Sequence, residues 1–378
     1  MKENATTLQP TKPVKHIVSC PSCQAKLFVT RQDVAYKCPK CNSLFTVKKA
    51  KGEESMRTVK ASLLTRIKFD AWKGWIYLFP TLILLAIFTV WPMINTVRIS
   101  MLEGYGGLSA VGGETFSFGF GNFEKVIQYK GFLTCLKNTM LLCVLTVPIS
   151  TFLALLIAVC LNSIKPLQRF LQTIFFLPYV TNSIAIGMVF AAMFNIVGSH
   201  LGTSNEIINA AGIMNNILGV FGIKPINWIN AGSSYGANIT VLVIYIVWNA
   251  LPFKILILLG GLQSVNKQYY EAAQIDSTPR WRVFTKITVP LLSPMLAYVI
   301  ITGFIGGFKE YSSIVGIFGE GMGAPGAKGS LDTMVGFIYD CLDRDRDGVA
   351  SAAALILFGI IFVVTMINLY VSKKKTHY

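Results

Sequence analysis

Four cysteines carry the most legible chemistry in this sequence: Cys20-Pro21-Ser22-Cys23 and Cys38-Pro39-Lys40-Cys41, two C-P-x-C turns with fourteen residues between them. Each turn directs two sulfurs toward one point, so Cys20, Cys23, Cys38 and Cys41 suit a tetrahedral metal ion. Structural zinc is the first expectation. An all-thiolate iron centre shares the geometry, and a dithiol redox pair is a third reading. Short β-type runs at 27–29 and 44–47 would hold the two turns together. Cys135, Cys143, Cys160 and Cys341 lie apart from this set and read as buried apolar thiols.

Other apparent motifs fail on spacing. The glycine-rich stretch 321–328 resembles a phosphate cradle, but Ala327 separates Gly326 from Lys328 and breaks the G-x-x-x-x-G-K-[ST] pattern. The run Asp343-Arg344-Asp345-Arg346-Asp347-Gly348 copies the start of a calcium loop, yet its twelfth position is Ala354, inside an apolar stretch. It reads as a solvated turn in which Arg344 and Arg346 neutralise the aspartates. His16, His200 and His377 are far apart and accompany no nucleophile pattern. The chain is expected not to be an enzyme.

The elements that must position any site are hydrophobic. The chain has 378 residues, 53% hydrophobic and only 14% charged, with a mean hydropathy of +0.55, values that belong to a polytopic membrane protein. About 20 apolar residues of helix cross a bilayer. Six stretches reach that length: 74–97, 138–161, 171–194, 238–262, 292–316 and 349–371. The reading is an all-α membrane protein of six transmembrane helices at 74–375, preceded by a small β-type module at 1–50 and a basic linker at 51–73.

Lysine and arginine flanks set the orientation. One side of the six-span arrangement carries 24 of them, the other eight, and Lys254 and Lys309 fall within spans. Both termini and the loop after the fourth span are therefore expected in the cytoplasm, and the net charge of +16 is a topology signal with no nucleic-acid partner implied. About 70 polar and basic residues precede the first span, which argues for an internal signal anchor over a cleavable signal peptide.

The loop at 263–290 is a polar, basic island between two apolar stretches. Lys267 to Asp276 reads as a short helix in which Tyr269, Ala272 and Ala273 form a face that permits close approach, with Glu271 beside them. Ser277-Thr278-Pro279 breaks it, with Ser or Thr as cap and Pro279 in the first turn of a second helix bearing Trp281, Phe284 and Ile287.

At these residues the chain resembles the permease subunits of bacterial ATP-binding-cassette importers, whose signature is Glu-Ala-Ala, three residues, a glycine, nine residues and Ile-x-Leu-Pro. Here the spacing runs from Glu271-Ala272-Ala273 through Asp276 and Ser277 to Ile287-Thr288-Val289-Pro290, with Ser277 in place of the glycine and Val289 in place of the leucine. Trp248-Asn249-Ala250-Leu251-Pro252 and 349–353 resemble the carbohydrate branch, the oligosaccharide and glycerol-3-phosphate type. The likeness covers roughly 72–375; the cysteine segment outside it resembles a zinc ribbon.

The resemblance implies a type I importer permease fold in a bacterial inner membrane. Its expected partners are a second homologous permease, a cytoplasmic ATPase dimer that alone uses ATP, and an extracellular solute-binding protein. Glu271, Ala272, Ala273, Asp276 and Ser277 would couple to the ATPase. The sugar would be met by Asn249, Ala250 and Phe253 before the hairpin and by Gly303, Gly307 and Glu310 after it. Glu310 would either meet sugar hydroxyls or pair with Lys254 or Lys309, and Lys309 and Glu310 would point about 100° apart on a helix. A polyol or glycerophosphate-type cargo, or a secondary carrier regulated by the zinc module, are the alternatives. Serine at 277 costs more than glycine in a left-handed turn, so that turn is expected to be slightly re-geometrised.

Overall fold

A computed structural model describes residues 16–20, 22–24, 26–29, 35–46, 74–113, 115–164, 168–196 and 212–375; the basic linker 51–73 and His200 and His377 lie outside them. The chain divides into two compact units, Met1–Val90 and Trp91–Tyr378.

In the first unit, strands β1 (His16–Ser19) and β2 (Lys26–Val29) form one antiparallel hairpin. Strands β3 (Ala35–Lys37) and β4 (Leu44–Thr46) form a second. Helix α1 (Gly74–Ser100) contributes its first part to this unit and Trp91–Ser100 to the next.

The second unit is helical apart from a two-stranded ribbon, β5 (Leu102–Glu103) with β6 (Ser117–Phe118). Short helices α2 (Gly107–Val111) and α3 (Gly121–Gln128) lead to the long α4 (Phe132–Ser163). There follow α5 (Gln168–Val180), α6 (Ser183–Phe194), α7 (Ile213–Val220) and the long α8 (Tyr235–Ser264). Then come α9 (Lys267–Ile275), α10 (Arg280–Leu291), α11 (Ser293–Gly307), α12 (Ser312–Phe318), α13 (Met334–Asp343) and α14 (Asp347–Lys375).

Four of the expected spans are single apolar helices: α1, α4, α8 and α14. The other two are broken. The stretch expected at 171–194 bends by 98° between α5 and α6; the stretch expected at 292–316 divides into α11, which ends at Gly307, and the start of α12, and α11 itself meets α10 at 68°. Asn182 explains the first break: its side chain accepts hydrogen bonds from the backbone of Ile184 and Ala185, restarting the helix on a new axis.

Helices α4 and α8 form the central pair. Ala154 and Ala158, one turn apart and fully buried, let α8 approach with Leu258, Leu259 and Leu262; small residues drive such association where lipid removes the hydrophobic gradient. Helices α6 and α12 cross still closer, since a Cβ placed on Gly187 would lie 2.8 Å from the Cα of Gly316. A buried amide ties α4 to its surroundings: Asn138 donates to the carbonyls of Ser330 and Asp332 at 3.0 and 2.8 Å and accepts from Tyr235 at 2.7 Å.

The loop that imitates a calcium site has another use. Asp345, left-handed at φ 55°, accepts a hydrogen bond from the Leu108 backbone at 3.0 Å. Arg344 pairs with Asp340 at 2.7 Å and not with the loop aspartates as expected. Of the four remaining cysteines, Cys135, Cys143 and Cys341 are buried as expected, whereas Cys160 is exposed on the α4 surface.

Candidate functional site

The four cysteine sulfurs lie within 4.8 Å of one another. Cys20 Sγ is 3.7 Å from Cys41 Sγ, and Cys23 Sγ is 3.6 Å from Cys38 Sγ. A tetrahedron built on metal–sulfur bonds of about 2.3 Å has edges of about 3.8 Å, so the cluster is dimensioned for one ion. The two turns are built alike. Gln24 donates its backbone N–H to Cys20 and Asn42 to Cys38, both at 2.9 Å, and Gln24 and Asn42 both take positive φ. Ser43 reinforces the donor set: its hydroxyl sits 2.9 Å from Cys41 Sγ and 3.5 Å from Cys20 Sγ. That hydroxyl is the main cause holding the Cys20 thiol down at about 6 and Cys41 below the ordinary thiol range, which favours thiolate, the ligating form.

In the second unit, Asn266 caps α9 by accepting from the Gln268 backbone at 3.0 Å. The far end of α9 closes with two hydrogen bonds, Ser277 N–H to Gln274 and Thr278 N–H to Ala273, at 3.0 and 2.9 Å. Together with Ser277 at φ 50°, this is a Schellman motif with serine at the left-handed position where glycine is usual. The expectation of an altered turn is therefore corrected. The turn keeps its left-handed geometry, because two backbone bonds and the following Pro279 over-determine it. Pro279 also sits one place earlier than expected, just outside α10, with no side-chain cap there.

Glu271, Ala272, Asp276 and Ser277 are exposed, while Ala273 is buried at 5% exposure. Tyr270 reaches Thr288 across the hairpin at 3.4 Å. Ile275, at 84% exposed, and Trp281, at 73%, add a bare apolar surface beside the acids and Arg280 and Arg282. Exposed apolar surface rimmed by charge is what a protein partner covers.

The six residues expected to meet a cargo, Asn249, Ala250, Phe253, Gly303, Gly307 and Glu310, line one cavity of about 280 Å³. Helices α8 and α11 carry its walls. Sequence reasoning missed Tyr179, which stacks on Phe253 with ring centroids 5.8 Å apart, and Thr146, Ser150 and Thr302, which supply hydroxyls to the lining. Their helices were identified, but which face turns inward depends on the packing of α4 and α5. Gly303 and Gly307 let α11 pack closely on α4, since a Cβ at 307 would lie 2.9 Å from Cys143 Sγ.

Neither lysine pairs with Glu310 among the described residues. Lys254, 5% exposed, donates to Ser150, Thr151 and the Val147 carbonyl at 2.6, 3.0 and 3.3 Å, which uses all three of its N–H groups. Lys309 is exposed and lies with Glu310 beyond the end of α11, so the expected helical separation of the two does not apply. Glu310 accepts from the Ser313 backbone at 3.3 Å.

Bent spans, a lined cavity and an exposed hairpin between its two wall helices define a membrane permease. Residues 147–377 match the family model described as binding-protein-dependent transport system inner membrane component, and the chain belongs to that family. It is the permease subunit of an ABC importer, a transport component and not an enzyme. Among its relatives, the lactose transport system permease protein LacF of Rhizobium radiobacter is 27% identical over 85% of this chain and all of its own length. The arabinooligosaccharides transport system permease protein AraP of Halalkalibacterium halodurans is 32% identical over 67% of this chain and 75% of its own. The same fold occurs in a bacterial ABC transporter that imports the acidic polysaccharide alginate, at a TM-score of 0.64, 23% identity, and coverage of 84% of this chain and 100% of that one. That transporter has also been solved with its pentasaccharide-bound periplasmic protein, at a TM-score of 0.65 and 23% identity over 83% of this chain and 98% of that one.

Proposed function

We infer that the cargo is a sugar or oligosaccharide, handed over by an extracellular binding protein and passed between this chain and a second permease. One observation carries the reading: the cavity walls, α8 and α11, are the two helices joined through the exposed 263–290 hairpin. A pull on Glu271 and its neighbours by a closing ATPase dimer therefore acts on both walls at once. The Tyr179–Phe253 pair offers a flat apolar face for a sugar ring, and Asn249, Thr302, Thr146 and Glu310 offer hydroxyl partners. The carbohydrate systems of the named relatives support this cargo class, as does the Trp248–Pro252 sequence. The lysine and arginine bias supports a cytoplasmic side for both termini and the hairpin.

Within the first unit, residues 1–50 act as a zinc-binding cytoplasmic module. The four thiolates would hold the ion, and its chemistry there is structural, since all four positions are filled by protein.

The test is uptake by the importer reconstituted with its ATPase subunits and binding protein. Glu271→Ala is expected to lower ATP-driven uptake by an order of magnitude or more while the permease remains in the membrane. Unchanged uptake would overturn the coupling role.

A further inference from the structure

A second groove in the helical unit lies away from the cargo cavity. It has a volume of about 530 Å³ and runs between the start of α11, with the end of α10, and the last turns of α14. That size falls within the range of small-molecule sites. Its two ends differ. Ile300 and Ile301 line one end; Ser293, Ser372 and Lys374 line the other, about seven residues or roughly 10 Å away along α11. The Ser293 hydroxyl is buried with no hydrogen-bond partner among the described residues. Lys374 stands over the Tyr370 ring at 4.9 Å, beside exposed Lys373.

Lys374 makes no ion pair among the described residues. Residues 280–307 contain no aspartate or glutamate, nor does the chain after Asp347. Helices α4 and α8, which also pack on α11, contain none either. The groove thus has an apolar floor at membrane depth, a hydroxyl lacking a partner, and a cationic mouth at the helix end. An amphiphile with acyl chains and an anionic head satisfies all three.

We propose that this groove is a binding site for an anionic phospholipid, with an acyl chain along Leu296, Ala297, Ile300 and Ile301 and the headgroup between Ser293 and Lys374. A zwitterionic lipid would fill the floor but gain nothing from the lysines. A helix of the second permease would fill the floor without needing an anion.

Native mass spectrometry of the assembled importer from nanodiscs of phosphatidylglycerol or phosphatidylcholine tests this. The wild type is expected to retain phosphatidylglycerol in preference to phosphatidylcholine, and Lys374→Gln to weaken that preference about five-fold, the usual contribution of one lysine beside anionic lipid. Ala297→Phe fills the groove while keeping both lysines, so it separates a seated lipid from surface attraction; it is expected to lose the retained phosphatidylglycerol. Equal retention of the two lipids, wild-type retention in Ala297→Phe, or a cross-link from position 297 to the second permease would each overturn the proposal. Lys374→Gln changes an exposed side chain and serves should Ala297→Phe fail to assemble.

Discussion

The cysteine module and the hairpin at 263–290 both present side chains at tight turns, but they stabilise those turns differently. In the module, a few short strands and two C-P-x-C turns converge on one point, and a bound ion would supply the energy that a core this small cannot. In the hairpin, the backbone closes the turn itself: Ser277 is held left-handed by the pair of bonds to Gln274 and Ala273, and long helices on either side provide the anchorage. One site is a point of failure, whereas the other spreads its support over many contacts.

The sharpest test of that contrast is Cys38→Ser. Structural zinc sites are worth about 10–16 kcal/mol of binding free energy, so this change is expected to abolish metal retention and strand structure in the module. Metal analysis and hydrogen exchange read both outcomes. Retained order without metal would break the contrast.

Asp332 probes the helical unit at a single charge. Burial pushes its carboxyl up to about 6 from 3.8, and its Oδ1 has no hydrogen-bond partner among the described residues. A raised carboxylate pKa means the unfolded chain ionises first. Stability is therefore full below about 4 and falls as pH rises through about 6. The shift of roughly two units corresponds to at most about 3 kcal/mol. Asp332→Asn is expected to raise the thermal midpoint at pH 7–8 and leave it unchanged near pH 4.

Gly187→Ala would place a methyl against the α12 backbone, where no side chain can move aside. A cost of about 1–3 kcal/mol is expected, seen as a lower midpoint with assembly retained. The smallest effect is at the hairpin. Ser277→Gly relieves a left-handed non-glycine residue and is expected to stabilise the turn by about 1 kcal/mol, visible as slower amide exchange at Thr278. A destabilised turn would show that Ser277 makes a favourable contact absent from the free chain.

How much could be read without coordinates depended on sequence separation. Cys20 and Cys23 lie on one turn and the run from Glu271 to Pro290 within one hairpin, so spacing points to their local geometry. The break after Val180 was hidden because 171–194 is long and largely apolar; the cap at Asn182 that redirects it lies in a three-residue polar interruption, Thr181-Asn182-Ser183. Lys254 was recognised as anomalous, but its partners Ser150 and Thr151 lie more than a hundred residues away on α4. Tyr179 reached the cavity only because α5 folds back against Phe253.

Composition and motif spacing by themselves pointed to the membrane class, the four-cysteine cluster, the hairpin and, through resemblance, the importer family, since each rests on average hydropathy or on residues within about twenty positions of one another. Tertiary structure decided where two spans bend, that Ser277 remains left-handed, that Lys254 is satisfied by α4 and not by Glu310, and that the cavity walls meet through the hairpin. Those outcomes rest on the close approach of distant helices, set by small residues and a few buried polar bonds, and no local pattern encodes them.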